Sequence, residues 1–256
     1  MTRGDPQLDD AFGAALIARL DGADPSIVME RDDGHVDVDT SDYFADVTED
    51  PLWSWISNRI EGRVLDIGAG AGRASTRLQT EGFDVVALDV SPGCTEVCRR
   101  RGIESTFEGT IEQLAASRHE AFDTLLAIGN NLGLLGTPDA AGAFLDSARS
   151  VGSSDVRIVG TMLDPYVTDD PLHLAYHEDN RRSGRLAGEV RLRVRYRNLA
   201  TDWFSLLWVS VDELEEVCAR HGWHVATTEP HGILYAAELR PTSPASGVST
   251  QAAQRT

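Results

Sequence analysis

Several features are scarce or missing in this chain of 256 residues, and each absence excludes a class of protein. No lysine is present, so all 23 basic residues are arginine, and 41 acidic residues bring the formal net charge to -18. A surface this acidic repels nucleic-acid phosphates and anionic lipids, so we expect no nucleic-acid partner and no membrane docking. No run of about 18 apolar residues exists that could cross a membrane. The first ten residues lack the basic and apolar regions of a secretory signal.

Cysteine is also scarce. The three cysteines, Cys94, Cys98 and Cys218, form an odd number without a disulfide framework, which favours a reducing, cytoplasmic compartment. Cys94 and Cys98 are four residues apart in a predicted helix, where they are either a metal-binding pair or part of the packing. Because no second pair of ligands accompanies them, we interpret them as buried packing.

The chain does contain a regular alternation of strand and helix patterns from residue 61 onward. Short, continuous apolar strands separated by helices are typical of a parallel sheet covered on both faces. We predict an α/β core formed by residues 61–163 and 211–240. An insertion over 164–210 separates its two parts and contains a loop or helix followed by a β-hairpin.

The two ends of the chain have different patterns. Residues 1–60 are predicted to form a helical cap, because apolar residues recur there at helical spacing. The positions that carry this pattern are Leu8, Phe12, Leu16 and Leu20, then Trp53, Ile56 and Ile60. The tail at 241–256 is rich in Ser, Thr, Ala, Gln and Pro and is expected to be disordered.

A glycine-rich turn follows the first strand of the predicted core, within Val64–Arg73 (VLDIGAGAGR). Glycines at 68, 70 and 72 let the backbone approach a ligand closely and take positive φ angles. The helix that follows presents free N–H groups to a polar or anionic ligand. Asp89, at the tip of the next strand, can accept hydrogen bonds from both hydroxyls of a ribose. The pattern therefore predicts a cofactor that contains a nucleoside.

Two details of the turn distinguish between nucleoside cofactors. The fingerprint for nicotinamide dinucleotides, G-x-G-x-x-G, needs a sixth-position glycine where this chain has Arg73. Asp66, two residues before the first glycine, would repel a pyrophosphate but attract a sulfonium and an ammonium group. Both details favour S-adenosylmethionine (SAM).

The segments Asp66–Gly72 (DIGAGAG) and Val86–Ser91 (VALDVS) resemble the first and second motifs of class I SAM-dependent methyltransferases of the small-molecule type. The resemblance covers residues 60–165. It implies a Rossmann-like, doubly wound sheet of seven strands with an antiparallel last strand, and SAM as the cofactor. The residues it assigns to cofactor binding are Asp66, Gly68, Ala69, Gly70, Asp89, Val90, Thr110, Ile111 and Asn130. Thr110 stands where the family often has an acidic residue.

Substrate residues are expected at the carboxyl ends of the strands, where open α/β sheets bind ligands. Asn131 and Tyr166 lie there and either contact substrate or satisfy loop backbone. His173 and His177 share one face of a possible helix, where one can act as a general base. The alternatives for this pair are a solvated polar face or a metal site, although the glutamate of a zinc hydrolase is missing; we predict no metal.

Four arginines alternate with apolar residues along one strand of the predicted hairpin. Arg191, Arg193, Arg195 and Arg197 would share one face of the strand. They either pair with some of the many carboxylates or form a wall that binds an anionic substrate, with Arg193 and Arg195 as the candidate contacts. Trp203 and Phe204 either line a pocket or pack the hairpin.

Three functions fit these features. The first is methyl transfer from SAM to an oxygen or nitrogen of a small molecule, in bacterial secondary metabolism. The second is a methyltransferase fold repurposed for cyclisation or for elimination of an anionic sulfate or phosphate leaving group in a natural-product pathway. The third is a non-catalytic subunit that completes a partner's active site. The expected partners are a small-molecule substrate and, in a homodimer or heterodimer, a second copy or a related subunit.

Overall fold

The structure is a computed structural model and describes residues 6–23 and 25–242. Eight α-helices and thirteen β-strands are found in these ranges. The helices are α1 (Ala11–Leu20), α2 (Trp53–Ser57), α3 (Arg73–Thr80), α4 (Pro92–Arg100), α5 (Ile111–Ala115), α6 (Ala141–Val151), α7 (Pro171–Arg182) and α8 (Val211–Arg220). The strands are β1 (Gln7–Leu8), β2 (Ile27–Arg31), β3 (Val36–Asp39), β4 (Val64–Ile67), β5 (Val85–Asp89), β6 (Ser105–Glu108), β7 (Phe122–Ala127), β8 (Gly152–Leu163), β9 (Glu189–Tyr196), β10 (Leu199–Ala200), β11 (Phe204–Leu207), β12 (Trp223–His231) and β13 (Leu234–Pro241).

The main sheet has seven strands in the order β12-β13-β8-β7-β4-β5-β6. Strand β13 runs antiparallel to both of its neighbours, while the adjacent pairs from β8 to β6 are parallel. Both faces are covered, because Leu65 packs into one apolar cluster and the adjacent Val64 into another. The predicted doubly wound sheet with an antiparallel last strand is confirmed.

A second, accessory sheet joins the N-terminal region to the insertion. Its strands follow the order β1-β10-β9-β2-β3, and β11 also pairs with β9. The predicted hairpin is present, since Phe204 to Leu207 pair antiparallel with β9. In this sheet β2 lies directly beside β9, with Glu30 opposite Arg193. The N-terminal region and the insertion are therefore one layer of the molecule.

The expectation of a purely helical N-terminal cap was wrong. Leu8 belongs to the short strand β1, which pairs with β10, and the first helix begins only at Ala11. Helix α2 ends at Ser57, so Ile60 is buried beyond its end. The stretch between the helices folds as the hairpin β2–β3. Its signal was the Asp33-Gly34 dipeptide between two apolar-containing runs, which is a strong hairpin turn sequence.

The remaining structural predictions divide into three outcomes. The insertion contains a true helix, α7, before its hairpin. All three cysteines are buried free thiols, which confirms the buried packing predicted for Cys94 and Cys98. The boundary predicted for the disordered tail is too early, because Pro241 still belongs to β13 and pairs with Trp223 of β12. Residues 243–256 of that tail lie outside the described residues. No helix in the described ranges is long and apolar enough to cross a membrane.

Candidate functional site

The glycine turn connects β4 to α3 at the carboxyl edge of the main sheet. Gly68 and Gly70 have φ angles of +69° and +58°, a region that L-residues with side chains rarely adopt. A Cβ on Gly68 would lie 2.5 Å from the side-chain nitrogen of Asn131. A Cβ on Gly70 would instead point into open space, with the Phe12 ring as its nearest neighbour at 4.0 Å. Gly70 therefore leaves room for a ligand against the backbone of the turn.

Asp66 lies beneath this turn and is almost fully buried. Its side chain accepts a hydrogen bond of 2.7 Å from the Ser75 hydroxyl of α3. The pKa of the Asp66 carboxyl is raised to about 6, mainly by burial and also by the nearby Asp89 carboxylate, against the lowering effects of the Ser75 hydrogen bonds and the Arg73 charge. Ionised Asp66 is therefore destabilised until a positive group approaches it.

Asp89 ends the neighbouring strand β5 and is also buried. Its two oxygens accept backbone hydrogen bonds of 2.9 Å from Gly70 and from Ser91. Burial raises the pKa of Asp89, while these two hydrogen bonds lower it. Within the described residues, neither Asp66 nor Asp89 takes part in a salt bridge. The site thus holds two buried carboxylates without a basic side chain paired to either.

The predicted adenine side of the site has one open apolar surface. Val90, directly after Asp89, is 65% exposed, which leaves its side chain available to pack on a ring. Ile111 is only 3% exposed and packs in the main apolar core, so little of its surface is free for that role. The Thr110 hydroxyl caps α5 by accepting a hydrogen bond from the Gln113 backbone. A contact from Thr110 to adenine stays a prediction.

Two adjacent asparagines after β7 have different roles. Asn130 adopts a left-handed conformation with φ +67°, and its backbone N–H donates to the Thr161 hydroxyl. The Asn130 side-chain oxygen is buried and has no hydrogen-bond partner. Asn131 donates from its side chain to the carbonyls of Ile67 and Gly68, at 3.0 and 2.9 Å. Of the two interpretations of Asn131, the structure supports the one in which it satisfies loop backbone.

Helix α1 packs over the glycine turn. Its N-cap residue, Asp10, accepts hydrogen bonds from the Gly13 backbone, the Ser91 hydroxyl and the Gly93 backbone. Asp10 therefore joins the start of α1 to the start of α4. Gly13 and Gly93 make this close crossing possible, since a Cβ on Gly93 would lie 2.6 Å from the Cα of Gly13. Sequence reasoning missed Asp10, because its contact with α4 has no local signal.

The other predicted substrate residues, Tyr166, Arg193 and Arg195, have their partners in different parts of the fold. The Tyr166 hydroxyl donates to Glu213 of α8 at 2.6 Å. Glu30 of β2 accepts hydrogen bonds from Arg193 and Arg195. Both arginines are thus paired with a carboxylate, which is the first of the two interpretations of this strand, and not the anion-binding wall. Arg193 also lies 4.6 Å from the centre of the Trp203 ring, which packs the hairpin.

The two predicted catalytic histidines differ in their surroundings. His177 is 5% exposed, and its pKa is lowered by burial, then by the charges of Arg181, His173 and Arg31. His177 is therefore neutral at neutral pH, which is the state that a general base requires. His173 packs edge to face against His35 of the β2–β3 turn, with ring centres 5.5 Å apart. The roles of both histidines in catalysis stay predictions.

Comparison with known proteins agrees with this geometry. A family model described as "Methyltransferase domain" matches residues 64–153, the segment that contains the glycine turn, Asp66 and Asp89. Residues 64–153 are therefore a methyltransferase domain. The ubiquinone biosynthesis O-methyltransferase of Xanthomonas euvesicatoria is 34% identical over 79 residues, 28% of this chain and 33% of that protein. The match thus spans about a third of the length of this curated relative.

Solved structures share the fold over nearly the whole chain. A SAM-dependent methyltransferase from Bacteroides fragilis, in complex with S-adenosyl-L-homocysteine, has a TM-score of 0.76 at 23% identity and covers 91% of this chain and 95% of its own. The CcbJ methyltransferase from Streptomyces caelestis has a TM-score of 0.62 at 13% identity, covering 92% and 100% of the two chains. The methyltransferase domain and its accessory regions therefore follow a fold seen in other proteins.

The residues of the site fit SAM. The cofactor carries an ammonium and a sulfonium group, and buried carboxylates such as Asp66 and Asp89 are stabilised by nearby positive charge. Its ribose hydroxyls can donate to Asp89, whose two oxygens each accept one backbone hydrogen bond and can accept a second. The unpartnered oxygen of Asn130 is a third buried acceptor in the methyltransferase domain. Buried polar atoms are normally paired, so this vacant acceptor is consistent with a ligand that donates hydrogen bonds.

Proposed function

We propose that this chain is an enzyme that transfers the methyl group of SAM to an oxygen or nitrogen of a small molecule. The observation that carries the proposal is the pair of buried carboxylates, Asp66 and Asp89, beside an open glycine turn. Without a basic side chain paired to them, these carboxylates match a cofactor that is itself cationic. The matched methyltransferase family and the shared fold support the same activity.

Each part of SAM has a candidate partner in this chain. Asp66 and the backbone at Gly68 and Gly70 would hold the amino-acid part, Asp89 the ribose, and Val90 one face of adenine. SAM supplies a methyl group that is already activated by its sulfonium sulfur. The protein then has to align the acceptor and exclude water, and a general base is optional. Helix α1 covers one side of the turn, and the insertion follows the carboxyl end of β8.

A small acceptor is favoured by charge and by similarity. The net charge of -18 opposes binding of a nucleic acid. The curated relatives include ubiquinone biosynthesis O-methyltransferases, and one structural neighbour is the glycopeptide N-methyltransferase MtfA, with a TM-score of 0.53 at 13% identity. Oxygen and nitrogen acceptors are both consistent with these proteins, and we place the reaction in bacterial secondary metabolism. A neutral, buried His177 is the candidate base where the acceptor must lose a proton.

The two rival functions have less support. Elimination of a sulfate or phosphate group would use Arg193 and Arg195 to bind the anion, but Glu30 engages both of them. A non-catalytic subunit would not need to keep both Asp66 and Asp89. Methyl transfer uses both of these buried carboxylates to hold its cofactor, so it is the function we propose.

Calorimetry on the purified chain tests the proposal. We expect both SAM and S-adenosylhomocysteine to bind with dissociation constants in the micromolar range. A panel of phenols, catechols and amines, incubated with SAM carrying a labelled methyl group, would then identify the acceptor class. Failure of both cofactor forms to bind would contradict the proposal and favour a repurposed or partner-dependent protein.

A further inference from the structure

Three metal-ligating side chains meet outside the cofactor site, at the contact between the β2–β3 turn and α7. They are His35 in the turn, Asp37 on β3 and His173 in the first turn of α7. Each offers one ligand atom, and these atoms all lie within 4.8 Å of one another. The His35 Nε2 atom is 2.8 Å from a carboxylate oxygen of Asp37. We name these three residues the His-Asp-His cluster.

The supporting contacts hold the two parts of the cluster together. The Arg31 guanidinium lies 4.1 Å above the Tyr176 ring of α7 and donates to the Leu172 carbonyl at 3.4 Å. The Tyr176 hydroxyl donates to Asp32 at 2.8 Å. These contacts fix the start of α7 against the turn that carries His35. The two histidines are therefore placed by packed elements, which reduces the cost of ordering them around an ion.

The chemistry of the cluster selects the kind of ion. Two imidazole nitrogens and one carboxylate oxygen are typical ligands of Zn²⁺, whereas Mg²⁺ and Ca²⁺ prefer oxygen ligands throughout. An angle of about 109° between bonds of roughly 2.0–2.2 Å requires ligand atoms about 3.3–3.6 Å apart. The 4.8 Å limit allows this spacing, and the 2.8 Å contact between His35 and Asp37 would lengthen when the ion binds. The Asp170 carboxylate interacts electrostatically with both His173 and His35, which adds negative charge beside the cluster.

We propose that His35, Asp37 and His173 bind one Zn²⁺ ion, with water completing its coordination. The ion would connect the N-terminal hairpin to α7, two segments that are far apart in the sequence. No residue of the cofactor site takes part, so the metal site is independent of SAM binding. In this site His173 is a metal ligand and not the general base of methyl transfer. Zn²⁺ would stabilise the accessory layer at its contact with the insertion.

The test uses the full chain, purified without a polyhistidine tag and dialysed against a chelator. Zn²⁺ is titrated by calorimetry, and Co²⁺ is used as a visible spectroscopic probe of the same ligands. We expect one Zn²⁺ per chain and a rise in the melting temperature on adding it. His35→Ala and His173→Ala should each weaken Zn²⁺ binding by at least about tenfold and remove the Co²⁺ absorption bands.

His231→Ala is the matched control, because His231 is an exposed histidine on β12, outside the cluster. It should bind Zn²⁺ as the wild type does. Urea unfolding of each variant checks that it is folded, and Asp37→Asn, a nearly isosteric change at an exposed side chain, provides a third ligand variant if either alanine variant fails to fold. Absence of saturable Zn²⁺ binding to the wild type would overturn the proposal. Wild-type affinity in the folded ligand variants would also overturn it.

Discussion

The main sheet and the accessory sheet of this molecule are built from different kinds of strand. In the main sheet, strands such as β4 are buried along their whole length, and apolar clusters cover both faces. In the accessory sheet, β9 alternates buried apolar residues with arginines on the other face. The main sheet joins consecutive βα units, whereas the accessory sheet pairs β2 with β9 across most of the chain.

The two sheets therefore have different roles, since the main sheet carries the cofactor site and the accessory sheet contributes to the stability of the fold. The cofactor site is formed by the ends of β4, β5 and β7, so its carboxylates are placed by the main sheet. The accessory sheet is held across β2 and β9 by Glu30, whose carboxylate bonds with Arg193 and Arg195. Substitutions in the first region should therefore change cofactor affinity, and substitutions in the second should change stability. The following predictions test that division.

Removal of Asp89 should have the largest effect, and it should act on binding. Asp89→Ala should weaken SAM binding by about 100-fold or more, because a hydrogen bond to a charged group contributes roughly 1.5–3 kcal/mol and about 1.4 kcal/mol corresponds to tenfold in affinity. Calorimetry with SAM measures the change. An affinity for SAM unchanged from the wild type would contradict the assignment of Asp89 to the ribose.

Two further variants distinguish lost ribose contacts from a damaged turn. Asp89→Asn removes the charge and keeps one side-chain oxygen, which can accept from the backbone N–H of Gly70 or of Ser91 but not from both. Asp84→Ala removes a carboxylate directly before the same strand, where it pairs with Arg63 and is 59% exposed. We expect Asp89→Asn to weaken SAM binding and Asp84→Ala to leave it at the wild-type value.

Removal of the Glu30 charge should act on stability. Glu30→Gln should lower the free energy of unfolding by about 1–3 kcal/mol, because it leaves two guanidinium groups without their anion. The side chains of Arg193 and Arg195 are only 17% and 21% exposed, so water compensates them poorly. Urea unfolding measures the change, and SAM affinity of the folded variant should stay the same.

A surface ion pair provides the comparison for Glu30. Glu178 pairs with Arg181 and Arg182 on the exposed side of α7, and its side chain is 49% exposed. Glu178→Gln should change the free energy of unfolding by no more than about 0.5 kcal/mol, as is usual for exposed pairs. An equal loss in both variants would mean that Glu30 is an ordinary surface charge.

The same two regions show what the sequence could predict. Strand β4, the glycine turn and Asp89 follow one another within a short segment, so their pattern identified the sheet and the cofactor together. The pairing of β2 with β9 depends on residues about 160 positions apart, such as Glu30 and Arg193, and no local periodicity records such a contact. Asp10 and His35 were missed for the same reason. The β2–β3 hairpin alone had a local signal, at Asp33-Gly34, that was overlooked.

The pH dependence of SAM binding should report on Asp66. Its pKa in the folded protein is about 6, above the value of 3.8 for an unperturbed aspartate. A raised carboxyl pKa means that this group favours the folded state at low pH, and that this contribution is lost as pH rises through about 6. A cationic cofactor binds the ionised form, so SAM affinity should fall about tenfold per pH unit below pH 6.

Asp66→Asn is the control for this pH profile. It retains an acceptor for the Ser75 hydroxyl but cannot ionise. Calorimetry between about pH 5 and pH 7 should therefore give a weaker affinity for this variant and a shallower pH dependence than in the wild type, because only Asp89 can still ionise at the site. A wild-type profile that is equally shallow would show that Asp66 does not change its ionisation when SAM binds.

Apart from the control variants, Tyr166→Phe should give the smallest effect, and Tyr166 lies where the two regions join. Its hydroxyl links the loop after β8 to Glu213, which also forms the capping box of α8 with Ser210. Tyr166→Phe should lower the free energy of unfolding by about 1 kcal/mol or less, because the phenol is 49% exposed and one hydrogen bond contributes about that much. Once an acceptor is known, its KM should be unchanged in Tyr166→Phe if Tyr166 only joins the loop after β8 to α8. A raised KM at unchanged stability would instead make Tyr166 a substrate residue. The insertion that contains Tyr166 would then contribute to acceptor binding as well as to the stability of the fold.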